Sequence, residues 1–354
     1  MQKLELGEES PPVGEQDDID KVVDIETRLL QKAAKRPKPR GQHPKQHGCV
    51  WAEFIVGENL GKDLKIGVFK EPGKKFPAWI RFSNARKQDD SKGGAHGMAI
   101  KLMDVEGDKF LEEEKDARTQ DFILFDHPVF FIRNVKDYAL FDEELEKAFL
   151  KSPDSPKPVR FLFPGLNPLK WRLHEFFILQ ALQKKRIGSP LEAIYWSATP
   201  YQFNSKAVKY FVKPCNNVTS NRSLLKTKDY LREAMTSHLT EAKNEAFFDF
   251  YIHIQTDARK MPVEDPTIEW KGAEVHKVAT IRIPPQKFDS YEQMAFGENL
   301  SYTPWHSLVE HKPLGGINRA RRTVYLQTSS LRRSENGVQP QEPTQKTFVP
   351  NLLG

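Results

Sequence analysis

Apolar and polar positions alternate in short runs along much of the chain. Val50-Trp-Ala-Glu-Phe-Ile-Val56 predicts a strand, and further strands are predicted over 64–69, 78–83, 97–103 and 121–125. Gly, Asp and Pro separate these runs, at the spacing of an antiparallel sheet or barrel. The charged stretch 106–118 reads as an exposed loop. Helical spacing follows over 136–149, 169–185 and 227–246. An earlier amphipathic helix is predicted over 19–34, from Val22, Val23, Ile25, Leu29 and Leu30. The broad apolar face of 171–182 is expected to pack against the sheet. Strands resume at 207–212, 248–255 and 277–283.

This order predicts one α+β domain built on an antiparallel β-barrel, over residues 36–335. Residues 1–35 form an N-terminal arm, acidic and loose over 1–18, ending in the amphipathic helix. Residues 336–354 are polar and Pro-containing and are expected to be a disordered tail. No internal repeat is visible.

Hydrophobic residues make up 38% of the 354, and 23 are Phe, so the core should be strongly aromatic. The 25 prolines favour many short elements. A net charge of +6, from 54 basic and 48 acidic residues, suits an anionic ligand such as a carboxylate and does not point to nucleic acid. The two cysteines, Cys49 and Cys215, fit neither a disulfide framework nor a thiolate metal site, so a reducing, cytoplasmic setting is expected. No run of about 18 apolar residues predicts a spanning helix, and the first residues lack the apolar core of a signal peptide.

Candidate chemistry gathers in four places. Near the end, Arg321, Tyr325 and Arg332 stand at i−4, i and i+7, on one face of a helix. Two fixed cations beside a phenol favour phenolate, an anionic ligand suited to ferric iron; a solvated basic face is the alternative. In Arg40-Gly-Gln-His43-Pro-Lys-Gln-His47, His43 precedes the first strand and is a candidate acid/base, with His47 its rival and a plain loop histidine the alternative. Arg81-Phe-Ser83 puts a cation among large apolar residues, where it needs an anion: a ligand, or an internal salt bridge. Ser83 is placed to orient an imidazole. Asp126-His-Pro-Val-Phe-Phe131 reads as a site carboxylate or as a turn followed by core aromatics.

Together these segments resemble the haem catalase family, in the same order and at compatible separations, over about residues 36–335. Arg40-x-x-His43-x-Lys45, Arg81-Phe-Ser83 with Gly97-Met-Ala-Ile-Lys101, Pro128-Val-Phe-Phe-Ile-Arg133, Phe248-Asp-Phe-Tyr-Ile-His-Ile-Gln-Thr256, Tyr291-Glu-Gln-Met-Ala-Phe296 and Arg321-x-x-x-Tyr325 carry it. The resemblance implies a catalase-like barrel with haem b held between barrel and helices. Tyr325 would be the axial iron ligand and Arg321 its partner. Arg40, Arg81 and Arg332 would meet the propionates, His43 would be the distal acid/base with Ser83 orienting it, and Phe131 and Tyr138 would pack on the haem. Two positions depart from the pattern: Asp126 replaces an asparagine and Gln42 an apolar residue. With the short chain, they shift the expectation from hydrogen peroxide dismutation to organic, including fatty-acid, hydroperoxides. Rearrangement or cleavage of such hydroperoxides, true catalase activity and simple haem binding are the alternatives. A homo-oligomer is compatible with the sequence.

Overall fold

The strands form where one parity of side chains can be buried. In the computed structural model, which describes residues 5–151, 157–215, 227–340, 342–344, 347 and 350–353, these are β1 (Lys45–Val56), β2 (Lys75–Asn84), β3 (His96–Met103), β4 (Thr119–Phe125), β5 (Tyr195–Trp196), β6 (Tyr201–Phe203), β7 (Lys206–Pro214), β8 (Ala246–Ile254) and β9 (Glu274–Ile283). All pair antiparallel. β1–β2–β3–β4–β5–β7–β8–β9 closes back onto β1, an eight-stranded barrel with β6 added at β7. Closure removes the exposed edges that an open sheet of this size would leave.

Inside, Val50, Ala52, Phe54 and Val56 of β1 meet Phe82 of β2, Phe122 of β4, Tyr210 of β7 and Phe248 and Phe250 of β8 in one core. Phe122 lies edge-on to Tyr210 and to Phe250, each at 5.0 Å between ring centroids. Such contacts add to the burial of each ring. Nine of the 23 Phe lie in this core, which makes the barrel solid and leaves no lumen.

One polar group sits among them. His311 is fully buried. Its Nε2 accepts the Val68 N–H at 3.1 Å, so Nδ1 carries the proton and donates to the Tyr210 hydroxyl at 3.1 Å. A β-carbon on Gly67 would lie 2.2 Å from that Nε2, and Gly67 takes φ 55°. This close approach explains why 64–69 is not the predicted strand: the chain makes two tight turns, Lys62–Leu64 and Gly67–Phe69, to bring its backbone to the imidazole.

Among the described residues, seven α-helices wrap the barrel: α1 (Glu15–Lys32), α2 (Val135–Lys151), α3 (Val159–Leu162), α4 (Leu173–Lys184), α5 (Tyr230–Thr236), α6 (Tyr291–Asn299) and α7 (Gly316–Asn336). The helix predicted over 227–246 is shorter: α5 gives way to a wider π-helical turn over Ser237–Glu241, and Lys243 leaves helical geometry at φ 51° before β8 begins at Ala246. α1 packs on α2 and α7 through Ile19, Val22, Tyr138, Phe141, Ala320 and Val324. Residues before it are also tied down: Arg319 of α7 holds Glu9, Glu15 and Glu264. The described part of 1–18 is thus not a loose arm. The tail likewise departs from expectation. Asn351–Leu352 (β11) pairs with Gln286–Lys287 (β10), and the Glu342 carboxylate reaches the buried Lys101 at 2.9 Å. In the loop 106–118, Lys109 and Leu111 are buried. α4 buries Ile178 and Leu182 against Val129, Phe125 and Phe131, but turns Leu173 and Phe177 to solvent. The expected packing face is only half used.

Burial pushes the His311 imidazole down to about 3. A histidine held neutral in the fold but free to protonate near 6.5 when unfolded makes stability fall as pH drops below 6.5. Denaturant unfolding between pH 6 and pH 4 should show His311→Asn, beyond its fixed loss of stability, reducing the slope of stability against pH by about 1.4 kcal/mol per pH unit. An unchanged slope would mean that His311 protonates freely in the fold.

Candidate active site

The parity that sends Phe76, Ile80 and Phe82 inward sends Arg81 and Ser83 outward. The register then aligns rows across the outer wall: Arg81–Ala99–Ile123, Ser83–Gly97–Phe125, and Trp79–Lys101–Asp121. Gly97 and Ala99 make the middle of this wall low. α7 lies over it and contributes Val324, Tyr325, Thr328, Ser329 and Arg332. The cavity between them is also lined by Arg40, Gln42 and His43, by Glu26 of α1, and by Tyr302, Trp305 and His306. The site is therefore on the outside of the barrel, under the wrapping helices.

On the helix side, Arg321 donates from Nη2 to the Tyr325 hydroxyl at 3.0 Å, one helical turn on. Its other Nη meets Asn318 Oδ1 at 3.2 Å and Thr199 Oγ1 at 3.4 Å. Burial works against the guanidinium charge, but the Tyr325 and Tyr201 phenols outweigh it and hold the Arg321 pKa above its ordinary value.

Across the cavity, His43 takes a left-handed backbone, φ 54°, held by its N–H to the Ala85 carbonyl and by Arg81 Nη1 donating to its own carbonyl. That conformation is strained for a histidine and fixes the ring's direction. Nδ1 lies 3.0 Å from Ser83 Oγ. Burial, reinforced by Arg81, lowers the His43 pKa to about 3, so the ring is neutral at ordinary pH. Its rival His47 is placed elsewhere: it is buried in β1, bonded to Asn84 Oδ1 at 2.8 Å, and does not line the cavity.

Three arginines converge beside this pair. Arg81 Nη2 meets Glu298 Oε2 at 3.1 Å, Arg332 Nη1 meets Glu298 Oε1 at 3.5 Å, and Arg40 Nε lies 3.7 Å from the same Oε1. Arg40 also donates to the Glu298 and Leu300 carbonyls, yet its buried Nε has no hydrogen-bond partner among the described residues. Burial first, then Arg40, brings Arg81 and Arg332 down to about 10. Three guanidiniums facing one carboxylate leave two positive charges for an anionic ligand to meet. Sequence reasoning missed Glu298; its only signal was an acid two residues after the Tyr291–Phe296 segment.

Other expected residues are placed differently. The Asp126 carboxylate does not line the cavity. Oδ1 accepts the His96 N–H at 2.8 Å, Oδ2 lies 2.6 Å from His96 Nδ1, and Lys185 approaches at 3.6 Å. It anchors the start of β3 beneath His43. Phe131 and Tyr138 do not line the cavity either. Both belong to the apolar layer between α2 and α7, with Phe131 against Phe130 at 4.6 Å and Phe141 at 5.4 Å. Gln42 does line it, and donates to Glu26 Oε1 at 3.1 Å. Glu26, also missed, is buried and its pKa is raised by burial. Asp142 is raised as well, by burial and then by Glu26 itself, and neither Asp142 oxygen has a partner among the described residues.

The fold is catalase-like. Solved structures similar to it include a fungal catalase (TM-score 0.62, 17% identity, covering 95% of this chain and 66% of that one). Catalase A from Saccharomyces cerevisiae matches with TM-score 0.59 and 17% identity, over 94% of this chain and 67% of its own. A bacterial catalase matches with TM-score 0.59 and 15% identity, over 99% and 68%. The chain thus spans about two thirds of the length of these catalases. No family model and no curated protein matches the sequence.

A β-carbon on Gly97 would lie 2.5 Å from the His43 ring and 3.0 Å from Ser83 Oγ, whereas one on Gly165 would meet nothing within 4 Å. Gly97→Ala should therefore cost about 1–3 kcal/mol in denaturant unfolding, as overpacking does. Gly165→Ala should leave stability within about 0.5 kcal/mol. Equal effects would mean that His43 does not rest on Gly97.

Proposed function

We propose that this protein binds haem b and turns over organic hydroperoxides, with fatty-acid hydroperoxides the favoured class and little hydrogen peroxide dismutation. The observation that carries the reading is the pairing, across one cavity, of Arg321–Tyr325 with His43–Ser83. The residues present fit the group. Tyr325 presents a phenol with a buried cation bonded to its oxygen, and would hold the ferric iron. Arg40, Arg81 and Arg332 lack two counter-charges, and haem b carries two propionates. Planar guanidiniums match such carboxylates better than lysines would. When bound, the haem would supply the iron at which a peroxide O–O bond is cleaved.

The protein's own groups do the proton work. With its Nδ1–H donated to Ser83 Oγ, the neutral His43 ring keeps a free lone pair on Nε2. That nitrogen accepts the hydroperoxide proton and returns it to the departing oxygen. Asp126 acts one layer out, fixing His96 beside Gly97, and Phe131 and Tyr138 support the helix layer behind α7. Substrate preference rests on the lining. Leu111, Ile123, Trp305 and Leu326 offer apolar contact, and Arg322 and Arg333 offer cations. An apolar chain ending in a carboxylate uses both; hydrogen peroxide uses neither. Both cysteines are free thiols, Cys49 buried and Cys215 exposed, in keeping with a cytoplasmic setting.

Purified protein supplied with haem should show a Soret band that Tyr325→Phe shifts or abolishes. His43→Ala should keep the band and lower turnover of a linoleate-type hydroperoxide about 10²–10⁴-fold, the usual contribution of a positioned acid/base. His47→Asn should leave turnover within a few-fold. Product analysis separates reduction to the alcohol from rearrangement to an epoxide or aldehydes. A wild-type protein that takes up no haem would end the reading, and oxygen evolution at a full catalase rate would overturn the substrate class.

A further inference from the structure

The segment from residue 157 to the end of α4 buries Phe161, Ile178 and Leu182 but keeps six other apolar side chains outside. Leu166 and Leu169 are 99% and 93% exposed, and Phe177 is 65% exposed. Val159, Trp171 and Leu173 are exposed beside them. These are not the stray apolar positions that any surface carries. They are presented by a built scaffold. Phe161 is buried against Phe141 at 5.3 Å, and Arg172 stacks on Phe161 at 4.5 Å while bonding Asp137 at 2.9 Å. Phe163 packs edge-on against Trp171 and Phe176, both at 5.4 Å, and the Trp171 indole N–H donates to the Gly165 carbonyl at 2.8 Å.

Charge identifies what this face meets. Residues 157–186 carry seven Lys and Arg and one acid, Glu175. That excess of six equals the net charge of the whole chain, so the remainder is neutral overall. Glu175 is buried and paired with Arg133 at 3.0 Å. Lys157, Arg160, Lys170 and Lys184 are exposed and form no ion pair among the described residues. Glu143 and Glu144 of α2 border the face, and Glu144 is paired with Lys147. Apolar and aromatic side chains projecting between unpaired cations match the boundary of an anionic bilayer: acyl chains below, phosphates at the level of the lysines, an indole between. A second copy of the chain fits less well. A two-fold interface would press these cations against their own copies. No helix among the described residues is long and apolar enough to cross a membrane, so the contact is peripheral.

We propose that the face formed by Val159, Leu166, Leu169, Trp171, Leu173 and Phe177, with its cationic rim, docks the protein on anionic phospholipid surfaces. The docking does not depend on haem or on the substrate class.

The test is flotation of the full chain with vesicles of phosphatidylcholine alone and of phosphatidylcholine with phosphatidylglycerol. The chain should float with the mixed vesicles, and high salt should weaken the binding. Leu169→Asp with Phe177→Asp should abolish it at unchanged circular dichroism, since both side chains are exposed. Lys170→Glu and Lys184→Glu should each lower partitioning about fivefold or more. A wild-type chain that floats with neither composition overturns the proposal, as does flotation that the Asp variants leave intact. A wild-type dimer that those variants turn into a monomer, with no vesicle binding, gives the face to a second copy and also overturns it.

Discussion

A closed barrel with a solid interior constrains everything built around it. Phe54, Phe82, Phe122, Phe248 and Phe250 occupy the space along the axis, so no ligand can enter there. Because side chains alternate along each strand, filling the inside with Ile80 and Phe82 commits Arg81 and Ser83 to the outside. The same holds for Met98 and Ile100 against Gly97, Ala99 and Lys101. A slip of one residue in β2 would bury Arg81 among phenyl rings and expose Phe82. The register that makes the core is thus the register that makes the site. It also explains the need for α7: the wall's functional row is polar, and only a covering helix can turn it into a water-poor cavity.

That covering gives the cations two consequences at once. Arg81 and Arg321 lie close enough to His43 to oppose its protonation, and burial opposes it further. The imidazole is therefore kept as a base by groups whose other tasks are holding Glu298 and Tyr325. Burial also lowers Arg81 and Arg332 themselves, the mark of charges still short of counter-ions. An anionic ligand entering beside Glu298 would relieve that shortage. Anion affinity and distal basicity then come from one arrangement. Lysines in place of these arginines would keep the charge but lose the forked geometry that lets Arg81 and Arg40 each contact a carboxylate and a carbonyl together.

Much of this was legible in the sequence because its physics is local. Tyr325 and Arg321 are one helical turn apart, and Arg81 and Ser83 share a strand parity, so periodicity alone puts each pair on one face. The barrel strands β1 to β4 and β7 to β9 announce themselves by apolar runs of five to eight residues between turn formers. What was hidden depends on distant partners. Nothing near Gly67 says that its backbone must approach an imidazole 244 positions later, and without that contact 64–69 looks like a strand. Glu298 and Glu26 are ordinary acids on short or amphipathic helices, and only the folded chain brings them to Arg81 and Gln42. α4 misled in the other direction. Its apolar periodicity was read correctly, but periodicity reports a face that avoids water and does not name what covers it.

The two departures from the catalase pattern now carry different weight. Asp126 sits where a neutral amide was expected, and a carboxylate facing the cavity would oppose any developing negative charge there. Its oxygens are instead engaged by His96 and Lys185 outside the cavity lining, and what reaches the cavity is its field, which favours the charged form of His43 and partly offsets Arg81. Gln42 gains importance for the opposite reason. Its amide reaches Glu26, which joins the distal segment to α1, and Glu26 lies beside Asp142 of α2. Two buried carboxyls side by side resist ionising together, so the pair carries at most one negative charge. α1 is therefore part of the cavity wall on the His43 side. Its packing on α2 and α7 sets where Glu26 stands, and through Gln42 it steadies the residue that precedes the candidate base.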